Sequence, residues 1–364
     1  MNLPITFWSY VTRKFFFFFF LVLFILIGMV FLIDIMEILK RSFAKELSFI
    51  EFISIVLYKL PYLSQIMLPF AILIGSALTL VFLNRNNELI VARSCRISAW
   101  LFLTPLLASA FLIGLITMTI INPFTAITLK KHEMLEAKHL RDKGNVIFIS
   151  DDGIWLKDIS DNRINKIIYA KSLYERAKYL SEVSVFIAGD DMNFTTRIEA
   201  DIANIENKQI LLQDVKIFEP GKNSVYLENY VLDTNLASEN LQAGLDIPDV
   251  ISFWDMPNFI TKIEHAGFSA LKHRFHFYSL LALPFFFMSV IIVSSSFSLS
   301  LPRRGKLGFM SFLTISVGFL IYFLTKIAYT LSLSGAVNIF VGVTAPVFIC
   351  FFAGAYLLLH YEDG

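Results

Sequence analysis

FFFFFFLVLFILIGMVFLI, residues 15–33, is an uncharged apolar stretch long enough to cross the hydrocarbon of a bilayer as one helix. It follows Arg13 and Lys14, as the apolar part of a signal peptide would. It is too long for a typical signal peptide, however, and no small-residue cleavage site follows it. We therefore expect residues 15–33 to be a retained membrane span.

Five more apolar stretches of similar length follow, over residues 60–83, 97–121, 277–301, 307–325 and 337–359. Lys326, Ser332, Ser334 and Gly335 interrupt the last third of the chain, which favours two antiparallel helices there over one very long helix. The chain is 56% apolar and 17% charged, so a bilayer must be the solvent for much of it. The sequence predicts an integral inner-membrane protein with six transmembrane α-helices, three on each side of a polar middle.

The polar middle contains short β-branched and aromatic runs separated by turn residues, which are typical of strands. The runs cover residues 146–149, 154–156, 164–169, 183–187, 210–218 and 225–232. Their spacing suits an antiparallel sandwich or an open barrel. Residues 254–266 have helical spacing of apolar side chains and precede Gly267, so a short helix is expected to lead the chain back to span four.

This pattern divides the chain into three parts. Residues 1–134 form an N-terminal transmembrane half, residues 135–250 an inserted extracytoplasmic all-β domain, and residues 251–364 a C-terminal transmembrane half. Three of the short loops carry clustered basic residues, which the positive-inside rule places in the cytoplasm. These residues are Arg13 and Lys14, then Arg85, Arg93 and Arg96, then Arg303, Arg304 and Lys306. Both termini are expected to be cytoplasmic, although Lys40, Arg41, Lys45 and Lys59 on the other side conflict with the rule.

The sequence lacks the usual motifs of catalysis. No G-x-x-x-x-G-K-[ST] loop, H-E-x-x-H pair or G-x-S-x-G turn is present, and His132-Glu133 has no second histidine one helical turn later. The net charge of +1, with scattered basic residues, does not favour nucleic acid. We expect a transporter subunit with no catalytic residues, no metal site and no cofactor. A membrane-embedded enzyme would need clustered acids or histidines, and the sequence shows none.

The loop between spans two and three has the pattern of a short interfacial helix, over about residues 85–97. Asparagines precede it as caps, and Leu89, Ile90, Arg93 and Ile97 recur at helical spacing. An ordinary surface helix and a docking element for a cytoplasmic partner both fit this spacing. The residues that would act in docking are Glu88, Leu89, Arg93 and Ile97.

Two cations, Lys40 and Arg41, lie just beyond the far end of span one. They could anchor the helix among lipid headgroups. They could instead receive the phosphates of an anionic lipid, since an ammonium or a guanidinium suits phosphate at a low-dielectric boundary.

The whole chain resembles the lipopolysaccharide export permeases of the LptF/LptG family. The resemblance rests on the order of spans and β domain together with several short stretches. These are ELIVARSCRIS at 88–98, His273-Arg274-Phe275, Leu283-Pro284, Phe297-Ser298-Leu299, PRRG at 302–305, Pro346, and Gly354 with Tyr356-Leu357-Leu358. The run DIMEILKR at 34–41 resembles LptG more than LptF.

The resemblance implies a permease subunit of an ABC transporter that extracts lipopolysaccharide from the inner membrane and passes it to a periplasmic bridge toward the outer membrane. It implies a jellyroll-like periplasmic β domain. The implied partners are a cytoplasmic LptB-like ATPase dimer, a paralogous LptF-like six-span permease, a single-span LptC-like bridge protein and lipopolysaccharide. The alternative is an ABC permease that regulates a periplasmic partner without transporting lipid.

The resemblance also assigns roles to residues. Glu88, Leu89, Arg93 and Ile97 would couple the permease to the ATPase, and Lys40 and Arg41 would contact lipid phosphate. Two positions depart from the family pattern: Arg96 stands where glycine is usual, and Asp34 places an acid where relatives often carry a base. The structure of the carried lipid and the strand order of the β domain are not readable from the sequence.

Overall fold

The computed structural model describes residues 5–42, 48–94, 98–139, 146–150, 153–160, 163–174, 179–188, 194–206, 209–234, 247–266, 268–300 and 307–362. The helices are α1 (Ile5–Ser42), α2 (Phe49–Arg85), α3 (Glu88–Ser94), α4 (Ala99–Ile116), α5 (Asn122–His139), α6 (Met256–His265), α7 (Leu271–Ser300), α8 (Leu307–Leu333) and α9 (Ile339–Glu362). A π-helical segment, Thr117–Ile121, joins α4 to α5 so that the two form one continuous rod. A short 3₁₀ turn, Pro248–Val250, precedes α6.

Among the described residues, six helical stretches are long and apolar enough to cross a membrane, which confirms the predicted number of spans. The helices extend beyond the apolar runs that predict them. The first helix, α1, begins at Ile5, ten residues before Phe15, and Lys14 within it lies over the rings of Tyr10 and Phe82. Lys14 Nζ is 4.6 Å from the ring centroid of Phe82. The predicted break before span six is also present, as α8 ends and Gly335, with a φ of 77°, turns the chain into α9.

The two transmembrane halves meet through α2, α4 and α7, which supply much of the main apolar core. Small residues allow close approach there, as is usual where helices pack within a membrane. A Cβ on Gly114 of α4 would collide with the backbone of Pro284 in α7, at 2.8 Å from its nitrogen. Buried hydroxyls add hydrogen bonds between helices: Ser294 Oγ donates to the Leu73 carbonyl at 3.0 Å.

The π-helical segment lies where the chain returns from the β domain. Asn122 is 1% exposed, and its side-chain carbonyl accepts a 2.8 Å hydrogen bond from the backbone N–H of Phe253. Trp254 Nε1 donates to the carbonyl of Thr119 at 3.2 Å. The wider helical turn thus frees backbone and side-chain acceptors that fix the returning segment to span three.

The described residues of the polar middle form one seven-stranded antiparallel sheet in which each strand pairs with its sequence neighbour. The strands are β1 (Val146–Ser150), β2 (Gly153–Ser160), β3 (Arg163–Tyr174), β4 (Tyr179–Ala188), β5 (Phe194–Glu206), β6 (Gln209–Phe218) and β7 (Val225–Asp233). The six predicted runs all lie within strands. The sequence analysis missed β5, because its buried residues include Ala200 and Ala203, and Ala200 lies between Glu199 and Asp201, so the strand forms no β-branched run.

An inserted all-β domain is therefore confirmed, and its strand order is a meander. Among the described strands every pairing joins consecutive strands, so these strands follow an up-and-down order, without the crossovers of a complete Greek-key jellyroll. Leu156, Ile168, Val185, Ile198 and their neighbours form the apolar core of this sheet. Ala266, at the end of α6, and Phe268 pack against that core and connect it to the helical part.

Candidate functional site

The helix predicted between spans two and three is present as α3, which begins directly after a sharp turn at the end of α2. Asn87 adopts a left-handed backbone with a φ of 60°, a conformation that asparagine tolerates better than most residues. Its carbonyl accepts the backbone N–H of Val91 at 3.2 Å, which starts the new helix. The helix is shorter than the predicted 85–97, because Arg85 still belongs to α2 and the turn at residues 86–87 separates the two helices.

The first two residues of α3 are tied to the spans. Leu89 is 7% exposed and belongs to the main transmembrane core. The carboxylate of Glu88 accepts a 2.9 Å hydrogen bond from the hydroxyl of Tyr10 in α1. Val91, by contrast, is 62% exposed. The helix therefore has an anchored face and an exposed face, with a polar connection to α1 and an apolar one to the core.

The other two predicted coupling residues are less completely described. Arg93 lies on α3, one residue before its end, and its side chain is outside the described part of the structure. Ile97 lies outside the described residues altogether.

The predicted phosphate-contact residues lie in the last turn of α1. Lys40 is exposed. The guanidinium of Arg41 donates to Glu37 of the same helix at 3.0 Å and to Glu136 of α5 at 2.8 Å. Arg41 is thus already engaged by two carboxylates, and one of them, Glu136, has a side chain only 11% exposed. Lys40 and Arg41 are adjacent in sequence, but they differ in how readily a lipid phosphate could bind them.

A buried polar cluster continues inward from Arg41. His132 lies one helical turn before Glu136, and its Nε2 is 3.2 Å from Glu136 Oε2. The other ring nitrogen, Nδ1, lies 2.9 Å from the backbone carbonyl of Ile55 in α2. Glu133 adds a third potential ligand atom, and the ligand atoms of His132, Glu133 and Glu136 lie within 4.8 Å of one another. The cluster connects α1, α2 and α5.

A second ion pair lies deeper between α1 and α2. Asp34, 6% exposed, pairs with Lys59. The acid that departs from the family pattern is therefore compensated by a cation from the next helix. Charge compensation of this kind is required before a carboxylate can be buried beside hydrocarbon.

Sequence reasoning missed both polar groups, although one signal was available. His132 and Glu136 are four residues apart and therefore share a helix face, but the search for metal ligands asked for a second histidine at that spacing. Tyr10 and Lys59 carried no local signal, because their partners lie on other helices.

Six spans, an inserted β domain and a short helix anchored between spans two and three define a membrane permease with a β domain. A comparison with known families agrees: the family described as "Lipopolysaccharide export system permease LptF/LptG" matches residues 9–360. The chain belongs to this family, whose members are non-catalytic transporter subunits, and it is a multi-pass inner-membrane protein.

Curated relatives match over almost the full length. The chain is 21% identical to the lipopolysaccharide export system permease protein LptG of Escherichia coli (strain K12) over 362 residues, which cover 96% of this chain and 97% of that protein. The LptG protein of Escherichia coli O6:H1 (strain CFT073) matches with the same identity and coverage. Both relatives are LptG proteins, which agrees with the LptG-like run at residues 34–41.

Proposed function

We propose that this chain is the permease subunit of an ATP-driven transporter that extracts lipopolysaccharide from the inner membrane and passes it to a periplasmic bridge. ATP would be hydrolysed by a separate cytoplasmic LptB-like dimer. A paralogous LptF-like permease and an LptC-like bridge protein would complete the assembly. Support comes from the family match over residues 9–360 and from the arrangement of α3.

The observation that carries the mechanism is the double attachment of α3. Leu89 fixes the helix to the span core, and Glu88 binds the hydroxyl of Tyr10 in α1. A displacement of α3 by the ATPase would then move α1 and the end of α2 together. The exposed side of α3, with Val91, is free within the described chain to meet the ATPase. Arg93 and Ile97 are assigned to the same contact.

The lipid would first meet Lys40 and then Arg41. Lys40 is exposed, so a phosphate can reach it without displacing another group. Arg41 would accept a phosphate in exchange for Glu37 or Glu136, because a guanidinium presents a limited number of donors in a fixed fork. Entry of the lipid would therefore loosen the contact between α1 and α5.

This proposal places both termini in the cytoplasm and the β domain in the periplasm. The basic residues beyond span one argued against that orientation in the sequence. Lys59 is paired with Asp34, and Arg41 with two glutamates, so part of this positive charge is compensated by acids. Three basic clusters, at residues 13–14, 85–96 and 303–306, oppose this single one, and they support the proposed orientation.

The β domain would receive the acyl chains and pass them onward. Its last strand, β7, pairs with β6 and with no other described strand. Val225, Tyr226 and Val231 of that strand are exposed. An open strand edge with apolar side chains is suited to pairing with a strand of another β domain.

The test is reconstitution of the chain with its ATPase and partner permease in vesicles that contain lipopolysaccharide. Glu88→Ala should leave ATP hydrolysis running while lipid release falls. Tyr10→Phe removes only the hydroxyl, a hydrogen bond of about 1 kcal/mol, and should reduce release about fivefold. Glu219→Ala, which removes an exposed carboxylate in the β6–β7 turn, serves as the matched control.

Glu88→Ala in α3 and Tyr10→Phe in α1 should both insert in the membrane at the wild-type level, as measured by fractionation. Normal release by Glu88→Ala and Tyr10→Phe would show that α3 does not transmit the motion. A wild-type assembly that hydrolyses ATP and releases no lipid would instead favour the regulatory alternative.

A further inference from the structure

We propose that His132, Glu133 and Glu136 form a binding site for a divalent transition-metal cation, with zinc as the best match to the ligands. The three residues lie at positions i, i+1 and i+4 of α5, so two share one helix face and the third flanks it. Their ligand atoms lie within 4.8 Å of one another. A nitrogen from imidazole with two carboxylates is a ligand set that suits zinc, with a fourth position left to water.

The tautomer of His132 is the first argument. The carbonyl of Ile55 can only accept a hydrogen bond, so the Nδ1 atom 2.9 Å away must carry the proton. In the neutral ring, Nε2 then directs a lone pair toward Glu136 Oε2 at 3.2 Å. Two lone pairs at this distance repel each other unless a cation, either a proton or a metal ion, lies between them.

The distance itself is the second argument. Tetrahedral zinc binds nitrogen and oxygen at about 2.0–2.1 Å, so two of its ligand atoms are separated by about 3.3 Å. The observed separation of 3.2 Å between Nε2 and Oε2 matches that edge. The carboxylate oxygen of Glu133 lies within 4.8 Å of the other two ligand atoms. Only a short movement of this side chain is therefore needed for it to provide a third ligand.

The support around the ligands is the third argument. Metal-binding histidines usually donate their other N–H to a carbonyl or carboxylate, and binding carboxylates are themselves hydrogen-bonded. His132 has the Ile55 carbonyl, and Glu136 has the Arg41 guanidinium at 2.8 Å. Both ligands are almost fully buried, which limits competition from water.

The experiment uses the full chain, purified in mild detergent through a tag that contains no histidine. After treatment with a chelator, the protein is titrated with Co²⁺, and the metal content is measured separately after loading with Zn²⁺. Wild-type protein should bind one ion per chain and show the intense visible absorption of tetrahedral Co²⁺. His265→Ala, a change of an exposed histidine on α6, is the matched control and should bind like wild type.

Two variants test the ligands. His132→Gln should abolish the tetrahedral spectrum, while its amide can still donate to the Ile55 carbonyl and preserve the fold. Glu133→Gln leaves the contacts of His132 and Glu136 in place and should weaken Co²⁺ binding at least about tenfold. Equal metal content in wild type and both variants, or a spectrum of hydrated Co²⁺ throughout, would mean adventitious binding only and overturn the proposal.

Discussion

Substitution of Gly114 by alanine should destabilise the chain, although alanine is the better helix former. Gly114 lies in α4 directly against α7. A Cβ built on it would lie 2.8 Å from the backbone nitrogen of Pro284 and 3.1 Å from the Cβ of that proline. Backbone atoms in the middle of a helix cannot rotate away, so α4 and α7 would have to separate locally.

The magnitude follows from two opposing terms. Overpacking of a tight contact costs about 1–3 kcal/mol, whereas glycine to alanine within a helix gains up to about 1 kcal/mol. The expected net loss is about 1–2 kcal/mol, which lowers the unfolding midpoint by about 1–3 °C in a chain of this size. Gly28→Ala is the control, since a Cβ there meets nothing within 4 Å, and it should leave the midpoint unchanged or slightly higher.

Two further glycines test whether the loss of stability depends on contact with backbone atoms, which cannot move away, and not on the short distance alone. A Cβ on Gly75 would meet the Cα of Phe19 at 2.9 Å, and one on Gly318 would meet the side chain of Leu73 at the same distance. The leucine can change its rotamer, so Gly318→Ala should cost less than Gly75→Ala. Scanning fluorescence in detergent at one fixed scan rate measures all four variants. A midpoint for Gly114→Ala equal to that of Gly28→Ala would refute the reasoning.

Two other substitutions separate binding from stability. Lys40→Ala should lower the amount of copurifying lipopolysaccharide, as measured by mass spectrometry, without a change in the unfolding midpoint. Arg41→Ala should lower both the copurifying lipid and the unfolding midpoint, because it leaves Glu136 buried without the Arg41 guanidinium. Asn122→Ala should cost about 1–3 kcal/mol, because it leaves the buried N–H of Phe253 without an acceptor, while Asn122→Asp keeps the acceptor and should cost less. An unfolding midpoint for Asn122→Ala equal to the wild-type value would show that this hydrogen bond does not stabilise the fold.

The spans were predictable from the sequence because each one is a long uncharged run, and the bilayer allows few other structures for such a run. The helix ends were not. Lys14 lies within α1 because the ring of Phe82, from the next helix, covers it. Asp34 lies within the same helix because Lys59 compensates its charge. Both contacts depend on tertiary packing, which local hydropathy does not contain.

The β domain shows the same limit. β6 and β7 were predictable from β-branched and aromatic runs. β5 was not, because its buried positions alternate with Glu199 and Asp201 and two of them are alanines. Strand order was also beyond reach, since a meander and a crossed arrangement can share the same strands and turns.

The candidate site was predictable only where its signal was local. The asparagines and the helical spacing after them predicted a helix in this loop, and the structure has that helix from Glu88, three residues after the predicted start. The partner of Glu88 is Tyr10, and that of Arg41 is Glu136. These partners are far apart in the chain, and no spacing rule connects them. The anchoring of α3 and the binding of Arg41 by two glutamates could therefore be seen only in the structure.

The π-helical segment in span three has a geometric consequence for the polar cluster. Buried positions in α4 recur about every 3.6 residues up to Thr117, but beyond the segment the buried stripe resumes one residue later, at Asn122. One residue corresponds to a rotation of about 100° about the helix axis. Phe124, where an unbroken helix would face the interior, is instead 59% exposed, while His132 and Glu136 face inward. The two parts of span three are thus rotated relative to each other about one helix axis. The extra residue in the π-helical turn determines which side of the far part faces the polar interior and which side faces lipid.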